Sequence, residues 1–400
     1  MDMQQESDSK AVTKTSPLRI FAAACMIAVG FCFVAGFYYF SVSQKAVANK
    51  DFIAYWAAGR QLVRGANPYD DAAVLRLEQA VGLEGATNIM FNPPLAFFLV
   101  IPLGLVGAKF GFVLWSMVIL GSLSIANWLL WIVYGSSGSR LHLLGYLFAP
   151  ALACLLAGQL GTFLLLGVVL FLWLYKSHPY LAGTSLLLCA LKPHLYLPFF
   201  LVLALWSIHR KEFRILAGFF IALLVDCAFS LSFDIHAWPQ YSQMMRTEEI
   251  VNQFVPTLSV AFRLLVDPNL VWLQFLPEAC GCIWAGWYFW SRRDRWDWTD
   301  EGLLLLLVSA LCTPRAWFSD ETMLLPAVLA GLFRAVKFGR SVLPLVLFAG
   351  AALFELHEQI KMTTPYYLWT VPAWLAWYLY ASTPKRVREQ PANAVEESLV

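Results

Sequence analysis

One segment near the N-terminus combines charged side chains with helical spacing in an otherwise apolar chain. Asp51 is a residue type favoured at helix N-caps, and apolar residues follow it at intervals of three and four, as one helix face requires. Arg60 and Arg64 lie on another face, and Gly65 can end the helix after about fourteen residues. Such a helix is too short and too charged to span a bilayer. It would hold one carboxylate, a group suited to general-base chemistry, at the membrane–water boundary.

Each of the notable side chains in this segment also has a purely structural interpretation. Asp51 can serve as a helix cap, and capping is compatible with catalysis. Arg60 and Arg64 either snorkel to lipid head groups or contact an anionic substrate. Tyr55 and Trp56 are either aromatics of the membrane interface or stacking platforms for a sugar ring. The segment alone leaves both kinds of role open.

The composition is that of a membrane protein surrounded by lipids. Of the 400 residues, 60% are hydrophobic and 16% aromatic, and only 14% are charged. The net charge of +2 shows no basic excess, so no nucleic-acid partner is expected. All eight cysteines lie in apolar runs, which favours small buried side chains over disulfides or a zinc site. We expect neither a metal nor a cofactor.

Apolar runs and basic clusters together predict an all-α polytopic membrane protein. Basic turns at residues 209–214 and 292–295 belong in the cytoplasm by the positive-inside rule, and both termini follow. The result is about twelve transmembrane helices, with loops outside the cytoplasm at residues 43–91 and 234–269 that contain amphipathic interfacial helices. The predicted spans are residues 20–42, 92–107, 110–134, 141–157, 162–175, 178–208, 213–233, 270–290, 302–313, 321–336, 341–356 and 366–381.

The chain is predicted to form one membrane domain, residues 18–383, between cytoplasmic tails at residues 1–17 and 384–400. The first apolar run is too long for a signal-peptide core, so we interpret it as a retained signal anchor. In this topology the turn at residues 158–161 is cytoplasmic, and the turn at residues 135–139 lies outside with Asp51.

Several short motifs follow one another along the chain. They are Asp51-Phe52-x-x-Tyr55-Trp56-x-x-Gly59-Arg60, Gly65-x-Asn67-Pro68-Tyr69, Phe91-Asn92-Pro93-Pro94-Leu95, Gly158-Gln159, Leu191-Lys192-Pro193 and Thr313-Pro314-Arg315-Ala316-Trp317. In type and order they resemble motifs of the bacterial glycosyltransferase family 87, polyprenyl-phosphate-dependent membrane enzymes of the GT-C fold. Some relatives continue the last motif with Asp-His. Here Phe318-Ser319-Asp320 contains no histidine, so no histidine role carries over.

The resemblance implies that Asp51 is the catalytic base of an inverting transfer. A hexose, mannose or another, would pass from a polyprenyl-phosphate donor to a hydroxyl of a lipid or envelope-glycan acceptor. A lipid phosphate leaves without protonation, so fixed cations suffice and a second carboxylic acid is not required. Asp51 lies on the predicted outer face of the plasma (inner) membrane, where nucleotide sugars are absent. The candidate donor-binding residues are Tyr55, Trp56, Arg60, Arg64, Lys192, His194 and Arg315.

Lys192 lies within a predicted span and precedes a proline, so we expect a broken or kinked helix there. A charge inside a bilayer is rarely left without a partner or a cavity. One hypothesis pairs Lys192 with Asp226, at a similar depth in the neighbouring span. The other lets Lys192 and His194 line the groove for the donor phosphate. Arg315 follows a proline at a helix end on the Asp51 side and is a further phosphate candidate.

Two other functions are compatible with the sequence. In a glycolipid transporter or flippase, Lys192, Asp226 and the broken helices would form a translocation path. The two halves contain no inverted pair of broken segments, which favours the enzyme. A family member that has lost activity is the other alternative, because its late motif departs from that of some relatives.

Overall fold

A computed structural model describes residue 30 and residues 32–135, 138–247, 254–358 and 364–383. Both predicted tails, and the predicted first span before residue 30, lie outside these residues. Every regular element in the described part is helical, which confirms the all-α prediction. The α-helices are α1 Cys32–Ser41, α2 Gln44–Ala48, α3 Phe52–Val63, α4 Asp71–Val81, α5 Phe97–Gly104, α6 Ala108–Tyr134, α7 Ala149–Ala157, α8 Gly161–Leu174, α9 Pro179–Ser185, α10 Leu197–Arg210, α11 Phe213–Phe233, α12 Ala237–Thr247, α13 Leu258–Val266, α14 Leu276–Arg292, α15 Glu301–Cys312, α16 Leu325–Lys337, α17 Leu343–His357 and α18 Thr370–Ser382. The 3₁₀ turns are Pro94–Ala96, Leu141–Leu147, Cys189–Leu191, Pro193–Tyr196, Val271–Phe275, Arg293–Arg295, Phe318–Leu324 and Pro365–Trp369.

Two of the described helices, α6 and α11, are long and apolar enough to cross a membrane by length and composition. Helix α11 exposes large apolar side chains where a soluble protein would not. Phe220, Ile221, Leu224 and Val225 are each more than half exposed. Such a surface fits contact with lipid tails rather than water. The count of about twelve spans stays a prediction.

Side-chain contacts define two ends of the helix bundle. At one, which we call the Asp51 end, Gln159 Nε2 donates to Asp51 at 2.6 Å and Thr313 Oγ1 donates to the His194 carbonyl at 3.2 Å. At the other, the basic end, three contacts gather around residues 292–300. Lys176 pairs with Asp297 at 2.7 Å, Arg210 donates to the Asp294 carbonyl at 2.7 Å, and the Tyr134 hydroxyl donates to the Thr299 carbonyl at 2.9 Å.

These contacts correct the predicted topology between residues 110 and 175. Helix α6 ends at the basic end, and the turn after α7 lies at the Asp51 end, so both turns are on the side opposite to the prediction. The first cause is α5, within the predicted span 92–107. It has eight residues and follows a three-residue 3₁₀ turn. Together they extend roughly 18 Å, which is short of the ~30 Å hydrocarbon layer.

The second cause is the predicted span 178–208, which makes two passes rather than one. Residues 179–191 run from Lys176 at the basic end to Lys192 at the Asp51 end, and α10 returns to Arg210. One predicted pass is therefore missing and one is added. The two errors cancel, so Arg210 and the helices after it keep their predicted sides.

Helix α3 is not the amphipathic interfacial helix that the sequence predicts, because protein surrounds it. Ten of its twelve residues are buried. Its backbone touches that of α5, since a Cβ added to Gly59 would overlap the Val100 carbonyl oxygen and one added to Gly104 would overlap Gly59. Arg60 Nη1 donates to the Gly104 carbonyl at 2.8 Å, satisfying an acceptor at the end of α5. Helix α4, in contrast, does bury one stripe, formed by Val74, Glu78 and Val81.

We predict that Gly59→Ala lowers the melting temperature of the purified protein, because the added methyl group must push two backbones apart. Overpacking of this kind costs about 1–3 kcal/mol. Gly121→Ala is the matched control, since a Cβ there meets nothing within 4 Å and alanine favours the helix. Equal melting temperatures for both variants would contradict the close α3–α5 contact.

The corrected topology makes a second prediction, for cysteines introduced into a variant whose native cysteines are replaced. Gly85→Cys, in the first loop, and Ser177→Cys, beside Lys176, are both at exposed positions. We expect an impermeant thiol reagent to label them from opposite faces of the membrane, because Lys176 lies at the basic end. The uncorrected sequence topology has both on one face, so labelling from the same face would reject the structure's arrangement.

Candidate active site

The turn between α7 and α8 carries Gln159 to the start of α3. Helix α7 ends at Ala157 and is capped by Gly158, whose φ of +77° favours glycine. The Gln159 N–H donates to the Cys154 carbonyl at 2.9 Å. A Cβ on Gly158 would lie 2.7 Å from the Cβ of Phe52. The Trp115 indole donates to the Gly158 carbonyl at 2.7 Å. A residue without a side chain is thus required where the turn meets α3.

The Asp51 side chain contacts this turn and does not cap its own helix. Its Oδ2 accepts a hydrogen bond from Gln159 Nε2 at 2.6 Å, and no side-chain capping bond forms. The predicted capping role is wrong because the backbone of Asp51 is already helical, with φ −60° and ψ −23°, unlike the extended backbone of a side-chain N-cap. The Tyr55 hydroxyl donates to the other amide atom, Gln159 Oε1, at 2.9 Å.

The Asp51 carboxylate is open to solvent on one side, yet protein surrounds enough of it to change its acidity. Burial raises the pKa of Asp51 above its ordinary value. The Gln159 hydrogen bond and the charges of Lys192 and Lys50 act in the opposite direction, and Asp320 adds to the increase. The carboxylate is therefore a stronger base than a free aspartate.

Lys192 and Asp320 form the buried ion pair of the site. Lys192 Nζ lies 2.7 Å from Asp320 Oδ1, and the two side chains are 12% and 1% exposed. Asp320 Oδ2 accepts from the backbone N–H of Trp317 at 3.1 Å. The hypothesis that Lys192 pairs with Asp226 is therefore wrong. Lys192 points to the 3₁₀ turn that holds Asp320, and Asp226 Oδ2 is buried without a hydrogen-bond partner among the described residues.

Arg315 and His194 lie beside this ion pair. The Arg315 guanidinium is 5.9 Å from the Phe91 ring centre and 5.8 Å from that of Trp317, within cation–π range of both. Burial lowers the pKa of Arg315 to about 10, and Asp320 partly offsets this. Arg315 therefore keeps its charge at neutral pH. The His194 imidazole lies within electrostatic reach of Lys192, Asp320 and Arg315.

Three of the predicted donor-binding residues lie apart from this cluster. Arg60 and Arg64 are nine and thirteen residues beyond Asp51 on α3, roughly 13 and 20 Å away along the helix. Arg60 contacts α5, and Arg64 is exposed at the far end of the helix. The Trp56 indole is buried and donates to the Val106 carbonyl at 2.9 Å. The structure brings together Asp51, Tyr55, Lys192, His194 and Arg315.

The structure adds three residues that the list of candidates lacked, namely Gln159, Asp320 and Asn92. Asn92 Nδ2 donates to the Leu191 carbonyl at 3.1 Å and so holds the residue before Lys192. Asn92 and Gln159 belong to the motifs Phe91-Asn92-Pro93-Pro94-Leu95 and Gly158-Gln159, and these motifs are the sequence signal that could have identified them. Asp320 follows the last motif directly. Within the described residues, no three His, Cys, Asp or Glu side chains come together as a metal site would require.

Comparison with known proteins identifies the family. The family model described as Glycosyltransferase family 87 matches residues 91–314, more than half of the chain. The match includes Gln159, Lys192 and His194, and Asp51 precedes it. The chain matches no curated protein and no solved structure. This match confirms the resemblance of the chain's motifs to the family. The chain is a membrane protein that belongs to glycosyltransferase family 87.

Proposed function

We propose that this glycosyltransferase, of the GT-C type, transfers a hexose, mannose or another, from a polyprenyl-phosphate donor to a hydroxyl of a lipid or envelope-glycan acceptor, with inversion at the anomeric carbon. Asp51 is the base. The observation that carries the proposal is the position of Asp51. It is a solvent-accessible carboxylate, not used for helix capping, within electrostatic reach of Lys192.

In the proposed step one proton is transferred, one bond to the anomeric carbon forms and another breaks. The acceptor oxygen attacks the anomeric carbon from the face opposite the phosphate, and the acceptor proton passes to Asp51. The bond between the anomeric carbon and the phosphate oxygen breaks, and its electron pair leaves with the lipid phosphate. A base with a raised pKa takes the proton more readily than a free aspartate, which suits this role.

The leaving lipid phosphate gains negative charge as it departs, and fixed cations stabilise that charge. Lys192 and Arg315 are the cations of the Asp51 end that we assign to this role, with His194 beside them. Arg315 lies within cation–π range of two rings, and Lys192 still has N–H donors beyond its bond to Asp320. Arg60 and Arg64 are too far along α3 to share the same phosphate and are better suited to α5 and lipid head groups.

We assign the Asp51 end to the outer face of the plasma membrane. The basis is the distribution of positive charge, because the basic residues concentrate at the opposite end of the bundle. Arg210, Arg292 and Arg334 lie in the last turns of helices that end there, and Arg293 follows directly after α14. The positive-inside rule puts such helix ends in the cytoplasm. The donor must then reach Asp51 within the membrane, as a lipid-linked sugar does.

The base assignment predicts that Asp51→Asn lowers sugar transfer by roughly 10²–10⁴-fold, because an amide cannot accept the proton. The melting temperature should stay near that of the unmodified protein, since the asparagine oxygen still accepts from Gln159. Transfer from polyprenyl-phosphate mannose by purified protein is the measurement, and Asp71→Asn, an exposed carboxylate of the same loop, is the control. Normal turnover of a folded Asp51→Asn protein would reject the assignment.

The ion pair predicts a different outcome for Lys192→Met, which leaves Asp320 buried and unpaired. We expect a loss of about 3–5 kcal/mol in stability. Adding Asp320→Asn should restore much of it, whereas adding Asp226→Asn should not, and melting temperatures compare the two double variants.

The stable Lys192→Met/Asp320→Asn variant then tests the phosphate role without a folding defect. It lacks one cation, so its KM for the lipid-phosphate donor should rise roughly ten- to a hundredfold, with little change in acceptor KM. An unchanged donor KM would mean that Lys192 serves only to neutralise Asp320.

A further inference from the structure

We propose that Gln159 is a positioning residue for Asp51 and that Tyr55 acts through it, by fixing which atom of the Gln159 amide faces the carboxylate. This inference rests on the proposed role of Asp51 as the base. It assigns Tyr55 a task in the site other than sugar contact. The three side chains form one chain of hydrogen bonds, from Tyr55 to Gln159 to Asp51.

Tyr55 determines the orientation of the Gln159 amide. The Tyr55 side chain is buried, so its hydroxyl proton needs an acceptor inside the protein, and Gln159 Oε1 provides it at 2.9 Å. Burial also raises the pKa of Tyr55 well above its ordinary value, so the hydroxyl stays protonated. With Oε1 engaged, the NH₂ group of the amide must face Asp51.

The orientation of the amide distinguishes between the two protonation states of Asp51. An NH₂ group can donate to a carboxylate, but it cannot accept from a protonated carboxyl group. A flipped amide would present an oxygen and stabilise the protonated form instead. By excluding that flip, Tyr55 makes the Gln159 hydrogen bond selective for the ionised base. The amide therefore lowers the pKa that burial raises, and it keeps the carboxylate ready to take a proton.

The backbone of Gln159 is itself held by neighbouring residues. The Gln159 carbonyl accepts from the Cys154 thiol at 2.9 Å, and its N–H donates to the Cys154 carbonyl at 2.9 Å. Gly158, before it, is held by Trp115 and contacts Phe52. The backbone at Gln159 is thus held by hydrogen bonds on both sides, which limits the directions that its side chain can take.

The test measures the protonation of Asp51 directly and does not need a known substrate. Dicyclohexylcarbodiimide modifies protonated carboxyl groups, and peptide mass spectrometry reports the modified fraction of Asp51 at each pH. Asp71, exposed on α4, is the internal reference. The charged groups that influence Asp51, namely Lys50, Lys192 and Asp320, are unchanged in every variant.

We expect Gln159→Leu to raise the midpoint of Asp51 labelling by about one pH unit, because the carboxylate loses its donor. Tyr55→Phe should raise it by less, since the amide is still present but free to flip. The double variant should match Gln159→Leu alone, because Tyr55 acts only through the amide. It also removes both partners of a buried hydrogen bond, which avoids the orphaned hydroxyl that the single Gln159→Leu variant leaves. Gln79→Leu, an exposed glutamine of α4, should change nothing.

In the transfer assay, the pH below which activity is lost should rise by the same amount, since transfer requires the ionised base. An unchanged labelling midpoint in both Gln159→Leu and the double variant would overturn the inference. So would a further shift when Tyr55→Phe is added to Gln159→Leu. Failure of the proposed function would show differently, as normal turnover of Asp51→Asn, while the labelling midpoints would still measure the amide's effect.

Discussion

The ion pair between Lys192 and Asp320 determines how the polar end of this bundle is arranged. Each residue lies where a helix is interrupted, Lys192 before the 3₁₀ turn that starts at Pro193 and Asp320 within the turn Phe318–Leu324. Neither charge can be left alone at such low exposure. The two interruptions must therefore face each other, and Arg315 and His194 come to the same place because they are neighbours of the paired residues in the chain.

Around this pair the site places opposite charges in a small volume. Asp51 and Asp320 supply two carboxylates, Lys192 and Arg315 supply two cations, and Lys50 adds a third positive charge beside Asp51. Asp320 has both oxygens occupied, by Lys192 and by the Trp317 N–H, so it is committed to structure. Asp51 has one side open. The division explains how two aspartates at one end of the bundle can have different tasks.

The sequence was sufficient for some of this arrangement and insufficient for the rest, for physical reasons. Helical class and the placement of Asp51 and Arg315 on the same side could be predicted, because apolar runs and basic clusters constrain both. The position of Lys192 at that end could not, since residues 178–208 have the hydropathy of one span although they make two passes. Hydropathy measures how apolar a segment is and not what it contacts. The segment that contains α5 is therefore predicted to span the membrane, although the backbone of α5 packs on Gly59. Partner identity could not be predicted for the same reason. Lys192 pairs with Asp320, 128 residues away, whereas depth along the predicted helices pointed to Asp226.

The same separation sets an order of events during synthesis. Lys192 leaves the ribosome 128 residues before Asp320, a delay of roughly 6–25 s at typical elongation rates. Until Asp320 is synthesised, Lys192 has no counter-charge, and we expect its flexible side chain to extend toward water at the edge of the bilayer. Asp51 also lacks its partner at first, since Gln159, which donates to it, is synthesised 108 residues later. The polar end thus cannot form before residue 320 has been synthesised, and a nascent chain stopped before that residue has every predicted donor-binding side chain but not the ion pair that holds them together.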